Sequence, residues 1–283
     1  MHNTLYMSLF GDWMNNLEHY KTEFSNGVPF KNVSIPNFLS EDTISKVVSE
    51  FPCDFDTNKN WFNYENPAEV KYLNSNIKEL PPTIKSVYDA LSSNEMVNAF
   101  AEISSIDNLE YDPTLYGSSI HAHGRYGRLH LHLDYEKHPI LENKERRLNL
   151  ILYLNENWDS SWNGQTELWN EDVTECVKKH EVTYNTATLF QTNNMSWHGV
   201  PEKILCPPDV FRKTLAYYYI SPLVTEPGMH KYGVDSTGYR TKASFVKRPQ
   251  DKESEGMKKL YEIRPKRRIE TDDIWEGWNK KTD

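Results

Sequence analysis

The chain has 283 residues, 37% of them hydrophobic and 26% charged, with a formal net charge of −9. A mean hydropathy of −0.75 describes a very polar surface around one large globular domain with extensions. No stretch approaches the roughly 20 apolar residues of a membrane helix, the acidic balance argues against a general nucleic-acid binder, and three scattered cysteines (Cys53, Cys176, Cys206) form neither a disulfide framework nor a zinc ribbon.

In chain order, residues 1–13 lack a basic segment leading into an apolar run, so no signal peptide is expected and a reducing cytoplasm is the simplest home. Asn32-Val33-Ser34-Ile35 reads as a short strand closed by Pro36-Asn37. Ser40 is a good N-cap with Glu41 and Asp42 in the first turn, where the helix dipole favours acids. Ile44, Val47 and Val48 then form the apolar stripe of a helix ending near Phe51-Pro52. A second helix follows Pro81-Pro82. A third follows Ser92, with Glu95 completing a capping box and Met96, Val97, Phe100 and Ala101 at helical spacing. From Leu109 the texture changes to short β-like runs at 118–123, 129–134, 147–154, 166–169, 187–191 and 212–220. Helices followed by closely spaced strands predict an α+β domain with a sandwich or barrel core. Residues 1–221 are read as that single domain, helical to about 108, and 222–283 as an extension packed on it. The extension carries Lys247-Arg248 and Lys266-Arg267-Arg268, read as a solvated mixed-charge tail rather than a polyanion site.

His132-Leu133-Asp134 and the lone His198 of Ser196-Trp197-His198-Gly199-Val200 carry the chemistry. Strict strand alternation puts Leu129, Leu131 and Leu133 on one face and His130, His132 and Asp134 on the other. Residues two apart on one strand face lie about 6–7 Å apart at Cα, so His132 and Asp134 can converge on one ion. His198 must come from a neighbouring strand, with Leu189, Phe190 and Trp197 as a dry wall. Two imidazoles and one carboxylate occupy one face of an octahedral metal and leave three positions open, as in non-haem Fe(II) oxygenases. A zinc hydrolase could use the same ligands. His130 is a spare ligand or a neighbour, and His121 and His123 are cavity wall or surface.

The segment Arg146-Arg147-Leu148-Asn149-Leu150-Ile151-Leu152-Tyr153-Leu154-Asn155-Glu156-Asn157-Trp158, followed by Gly164-Gln165-Thr166, resembles a strand and Gly-rich turn of the Fe(II)/2-oxoglutarate-dependent dioxygenases, in their prolyl 4-hydroxylase-like branch. It is close to the corresponding stretch of the animal oxygen-sensing prolyl hydroxylases. Val33-Ser34-Ile35-Pro36-Asn37-Phe38-Leu39-Ser40 resembles the usual opening, and Tyr126-Gly127-Arg128-Leu129-His130-Leu131-His132-Leu133-Asp134 resembles the metal strand, so the matches span roughly residues 30–221. The resemblance implies a double-stranded β-helix (jelly-roll) core with the N-terminal helices packed on one sheet. It implies Fe(II) on His132, Asp134 and His198, 2-oxoglutarate and O2 as cosubstrates, and ascorbate as reductant.

It also implies a basic residue on the strand after the distal histidine, gripping the far carboxylate of 2-oxoglutarate. Arg212 stands in that position, and a guanidinium fork matches a carboxylate bidentately. Thr214 and Tyr218 share its strand face, so Thr214 can add a hydroxyl contact, while Lys213 faces the other way. In the resembling hydroxylases the position matching Tyr153 donates a hydrogen bond to 2-oxoglutarate, and that role is carried over to Tyr153. Asn149 and Ile151 share the Tyr153 face and should line the cavity, with the intervening leucines against the helices. Tyr218, His123, His130 and Trp197 are further cavity or substrate candidates. The family's Gly-Gly turn is Gly164-Gln165 here, and the loop 201–211 is long, which leaves cavity shape and substrate open. The expected reaction is hydroxylation of an unactivated C–H bond with release of succinate and CO2, favoured over halogenation by the carboxylate of Asp134. A small polar substrate is preferred to a protein because the extension, at 232–240, could supply a lid. The alternatives are a peptidyl-prolyl hydroxylase of the same superfamily and a non-catalytic jelly-roll binding module.

Overall fold

A computed structural model of the chain describes residues 8–55, 57–229 and 232–251. The Lys266-Arg267-Arg268 cluster and most of the predicted extension lie outside the described residues. Helices α1 (Leu17–Ser25), α2 (Glu41–Glu50), α3 (Pro82–Leu91) and α4 (Asn94–Ser104) lie in the N-terminal part. Ser40 opens α2 as expected, and Thr43, Ile44 and Val47 are its buried stripe. Pro82 begins α3, where its missing N–H would have had no helical partner. The cap of α4 is Ser93 rather than Ser92. Ser93 Oγ accepts from Met96 N–H at 3.3 Å, whereas the Ser92 hydroxyl bonds Tyr88 O at 2.8 Å and Tyr217 OH at 2.6 Å.

The strands before the metal motif are β1 (Asn32–Ile35), β2 (Phe62–Glu65), β3 (Glu69–Asn74), β4 (Glu110–Tyr111) and β5 (Ser119–His123). They continue as β6 (Arg128–Leu133), β7 (Lys144–Tyr153), β8 (Thr166–Trp169), β9 (Cys176–His180) and β10 (Thr186–Gln191). The last are β11 (His198–Val200), β12 (Arg212–Pro222) and β13 (Ser244–Phe245). All belong to one antiparallel sheet with the path β1-β10-β7-β12-β5-β3-β6-β11-β8-β9. The sheet curls until its two halves face each other across a cavity. Tyr153 of β7 bonds Thr166 of β8, and Phe190 of β10 meets the His198 ring of β11 at 4.7 Å. This nearly closed sheet is the expected double-stranded β-helix core.

The main apolar core lies on the outer face of β10-β7-β12-β5. There Leu148, Leu150, Leu152 and Leu154 pack with Ile44, Val47, Ile84, Val87 and Phe100 of the helices. That packing leaves the other face of β7 to the cavity. The N-terminal part is not wholly helical up to 108, because the β2–β3 hairpin lies there and β3 joins β5 to β6. Its sequence, Phe62-Asn63-Tyr64-Glu65 and Glu69-Val70-Lys71-Tyr72, has almost no aliphatic alternation because its inner residues face the cavity.

Two bulges redirect side chains next to the cavity, a recurrent use of this feature. On β6, His132 pairs His198 and Leu129 pairs Val200, so three steps on β6 oppose two on β11. Leu129 therefore borders the cavity and His130 leaves it, contrary to strict alternation; the His130 ring approaches Asp251 at 3.7 Å instead. On β7, Leu148 pairs Tyr219 and Arg146 pairs Ile220, which makes Arg147 the extra residue and returns Arg146 to the cavity side.

After β12 the chain returns over the metal motif. Ser244 and Phe245 pair with Leu133 and His132, and the buried Arg240 donates from Nε to the backbone carbonyl of Asp134 at 2.5 Å. Arg248 grips Glu202 and Asp251 at 2.6 Å each.

Buried neutral histidines make the fold acid-sensitive. His180 is 3% exposed with its Nδ1 2.9 Å from Ser34 Oγ, and burial pushes its pKa down from 6.5 to about 3. Burial, with nearby cations, also holds His121 and His123 well below the usual range. Their folded values lie below the unfolded one, so the unfolded chain takes up protons first. The melting temperature should fall as pH drops from 6.5 toward 4, and His180→Gln should flatten part of that slope in thermal melts.

Candidate metal centre and cosubstrate cavity

Pairing of β6 with β11 sets His198 directly opposite His132. Each ring donates its Nδ1–H to a backbone carbonyl, His132 to His130 O at 2.9 Å and His198 to Ser196 O at 2.7 Å. That fixes the tautomers, so both Nε2 lone pairs point at the same space. His132 Nε2 lies 3.5 Å from Asp134 Oδ1 and His198 Nε2 lies 3.3 Å from Asp134 Oδ2. One donor atom from each residue lies within 4.8 Å of the other two, and all three residues are buried. Phe190 and Phe245 pack on the imidazoles, the latter 5.3 Å from the His132 ring.

Protonation states suit a metal. Burial pushes His198 down to about 4, against the opposing pull of Asp134. Burial alone would raise Asp134, but Arg146, with His198 and His132, holds its carboxyl well below the usual range. Arg146 Nη1 is 3.3 Å from Oδ1, and Asn149 Nδ2 donates to Oδ2 at 2.8 Å. Arg146 Nε in turn donates to Asn149 Oδ1 at 2.6 Å, and its guanidinium lies 3.2 Å from the Tyr218 ring centroid. Two imidazole Nε2 atoms and an ionised carboxylate converging on one point fit a divalent ion with open positions.

At the far end of the cavity stands Arg212, 2% exposed. Its Nε donates to Gly164 O at 2.7 Å and its Nη2 to Thr166 Oγ1 at 3.2 Å. Tyr153 OH donates to that same Thr166 Oγ1 at 2.8 Å, with the Tyr153 ring 5.2 Å from the guanidinium carbon. Burial pulls the pKa of Arg212 down and the neighbouring Tyr153 pushes it up, and among the described residues no carboxylate pairs with it. Gly164 is required here: its φ is +95°, and an added Cβ would press on Arg212 Cδ at 3.3 Å.

Between the metal motif and Arg212 lies a cavity of about 570 Å³. Asn149, Ile151, Thr214, Tyr218, His121 and His123 border it. Thr214 pairs His121 and Arg212 pairs His123 across β12 and β5. Tyr153 lies behind the wall with its hydroxyl on Thr166. Trp197 does not face the cavity; it packs with Leu131, Leu133, Trp169 and Val173, because alternation turns it away from His198. Leu189 belongs to the helix-facing core. Sequence reasoning missed the Arg146 contact with Asp134, which the β7 bulge creates. It also missed Tyr64, Glu69 and Lys71 on the hairpin, Tyr116 and Tyr135 on loops, and Lys242 and Phe245 after β12, all bordering the cavity.

Residues 118–220 match the profile of the 2OG-Fe(II) oxygenase superfamily. A prolyl hydroxylase from Trichoplax adhaerens, solved with a hypoxia inducible factor oxygen degradation domain peptide fragment, is similar in fold at 15% identity, with 76% of this chain and 95% of that chain covered and a TM-score of 0.53. A prolyl-4-hydroxylase from Pseudomonas putida aligns at 15% identity over 71% of this chain and 97% of that chain, with a TM-score of 0.48. HygX from Streptomyces hygroscopicus, solved with nickel, 2-oxoglutarate and hygromycin B, aligns at 9% identity over 82% of this chain and 96% of that chain, with a TM-score of 0.47. No curated protein matches the chain. Among the described residues no helix is long and apolar enough to cross a membrane. The segment 118–220, which contains His132, Asp134, His198 and Arg212, is thus similar to the 2OG-Fe(II) oxygenases, enzymes that work with Fe(II), 2-oxoglutarate and O2.

Proposed function

We propose that this protein hydroxylates an unactivated C–H bond of a small polar substrate, with 2-oxoglutarate leaving as succinate and CO2. The observation that carries the proposal is one cavity with two matched ends. The donor atoms of His132, Asp134 and His198 converge within 4.8 Å at one, and the buried Arg212, with no carboxylate partner among the described residues, stands at the other. In this reading the triad holds Fe(II), and bound Fe(II) supplies the oxidising chemistry with O2. Arg212 binds the distal carboxylate of 2-oxoglutarate through its fork, and Thr214 adds a hydroxyl on the same strand face. Tyr153 supports this end through Thr166. Arg146 and Asn149 fix the orientation of Asp134. The water-poor wall of Phe190 and Phe245 strengthens these charge interactions.

A small substrate is favoured over a protein by the cover on the cavity. Lys242 and Phe245 border it from the segment after β12, and Phe62, Tyr64, Glu69 and Lys71 of the β2–β3 hairpin border it as well. Anaerobic addition of Fe(II) and 2-oxoglutarate should produce a weak visible charge-transfer band, and O2 should then release succinate. A protein that takes up Zn(II) and hydrolyses esters without forming that band would support the hydrolase reading instead.

A further inference from the structure

Lys71 and Glu69 point into the cavity from β3, and nothing in the proposed chemistry of iron or 2-oxoglutarate uses them. Their charged ends meet at 3.0 Å with side chains only 10% and 11% exposed. Lys71 also lies 5.1 Å from the Tyr64 ring centroid, directly across the hairpin from it. Burial disfavours the Lys71 charge, but Glu69, joined by Tyr64 and Tyr218, more than offsets it and keeps the pKa raised, so the ammonium stays charged.

The charges around the cavity do not cancel. Glu69 balances Lys71, Asp134 balances Arg146, and Arg212 has no acidic partner among the described residues. Fe(II) and the 2-oxoglutarate dianion bring equal and opposite charge. The basic side chains bordering the cavity (Lys71, Arg146, Arg212 and Lys242) therefore outnumber the acidic ones (Glu69 and Asp134), in a chain whose formal net charge is −9. A low-dielectric site with surplus positive charge selects an anion. The wall between Lys71 and Arg146 is built from Tyr64, Tyr116, Tyr135 and Tyr218. Tyr135 is 5% exposed, and among the described residues its hydroxyl has no hydrogen-bond partner, which is costly unless a ligand supplies an acceptor. Its ring lies 5.7 Å from Tyr116 and 4.9 Å from the Arg146 guanidinium, on the metal side of the chamber.

We propose that the substrate is a small organic monocarboxylate whose acid group is taken up by Lys71, with the Tyr135 hydroxyl as a second donor within the same tyrosine-lined chamber. The proposal rests on the oxygenase reading above. In the resting protein Glu69 holds Lys71 in place; the incoming carboxylate shares the ammonium with it. The tyrosine rings give the rest of the molecule an apolar, hydroxyl-edged surface, which suits a cyclic or aromatic acid.

The test uses the full chain loaded with Ni(II) and saturating 2-oxoglutarate, with calorimetric binding of matched probes: phenylacetate, 3-phenylpropionate and N-acetyl-proline, each against its primary amide. The acids should bind about tenfold more tightly than their amides, the value of one charge-assisted hydrogen bond. Lys71→Gln should remove that preference and Lys71→Arg should keep it. Glu69→Gln should raise acid affinity about threefold or more, since the incoming carboxylate then has the ammonium to itself and takes over the role of Glu69 in keeping it charged. A purely structural Glu69–Lys71 pair would lose affinity in every variant, so a gain in Glu69→Gln is decisive even if Lys71→Gln folds poorly. Equal binding of acids and amides, or tighter binding of amines, by protein that has taken up Ni(II) and 2-oxoglutarate overturns the anionic substrate and leaves the oxygenase function standing. Failure to take up Ni(II) and 2-oxoglutarate at all overturns both.

Discussion

His132→Ala is expected to reduce succinate release from 2-oxoglutarate by more than about 100-fold, because removing a ligand should exceed the 10–100-fold effect typical of removing an outer-sphere partner. The geometry explains why the loss should be that deep. His132 Nδ1 is committed to the His130 carbonyl, so Nε2 is the atom offered to the ion. Without it, His198 and Asp134 remain, and Asp134 already has Arg146 3.3 Å away as a competing cation. In the variant the carboxylate can turn fully to the guanidinium, which would leave a single imidazole for iron. Iron content, succinate yield and far-ultraviolet circular dichroism measured together separate ligand loss from unfolding. Undiminished succinate formation by a folded, iron-poor variant would sink the proposed centre.

The sequence was most legible where side-chain period and burial coincide. The leucines of β7 and the residue after it alternate strictly from Leu148 to Leu154, and all four pack on the helices. The stripe of α2 and the break at Phe51-Pro52 were read for the same reason, since one face of that helix meets one core. Legibility failed where the backbone departs from its period. The bulges at His130 and Arg147 each shift the face of every residue beyond them. Alternation therefore grouped His130 with the ligands and kept Arg146 out of the site. The convergence of His132 and Asp134 remained readable because both lie beyond the β6 bulge. The β2–β3 hairpin failed for a different reason. Its inward residues Tyr64, Glu69 and Lys71 are selected for what they present to a cavity, so they carry no core-like pattern. Ser92 and Ser93 were indistinguishable as caps from local sequence alone, because the choice depends on Tyr217 reaching Ser92 from β12.

Arg212→Gln is expected to raise the KM for 2-oxoglutarate by about 100-fold or more. A bidentate guanidinium–carboxylate pair supplies two charge-assisted hydrogen bonds, together worth about 3 kcal/mol, and each 1.4 kcal/mol is about tenfold in affinity. The kcat at saturating 2-oxoglutarate should fall much less, since Arg212 lies at the end of the cavity away from the three donor atoms. Arg212→Lys should be intermediate, because a point charge keeps the attraction and loses the fork. Stability gives the opposite sign. Among the described residues Arg212 has no acidic partner, and such a buried guanidinium carries its desolvation cost uncompensated in the ligand-free protein. Two of its donors are satisfied by Gly164 O and Thr166 Oγ1, which offsets that cost only in part. Arg212→Gln should therefore leave the melting temperature of the ligand-free protein unchanged or slightly raised. The stabilisation of the wild type by added 2-oxoglutarate, which grows as RT ln(1 + [L]/Kd), should disappear in the variant at the same ligand concentration. A variant that melts lower without ligand yet keeps that stabilisation would make Arg212 a structural arginine. The carboxylate anchor would then have to be sought among the other cations of the cavity, Lys71 first.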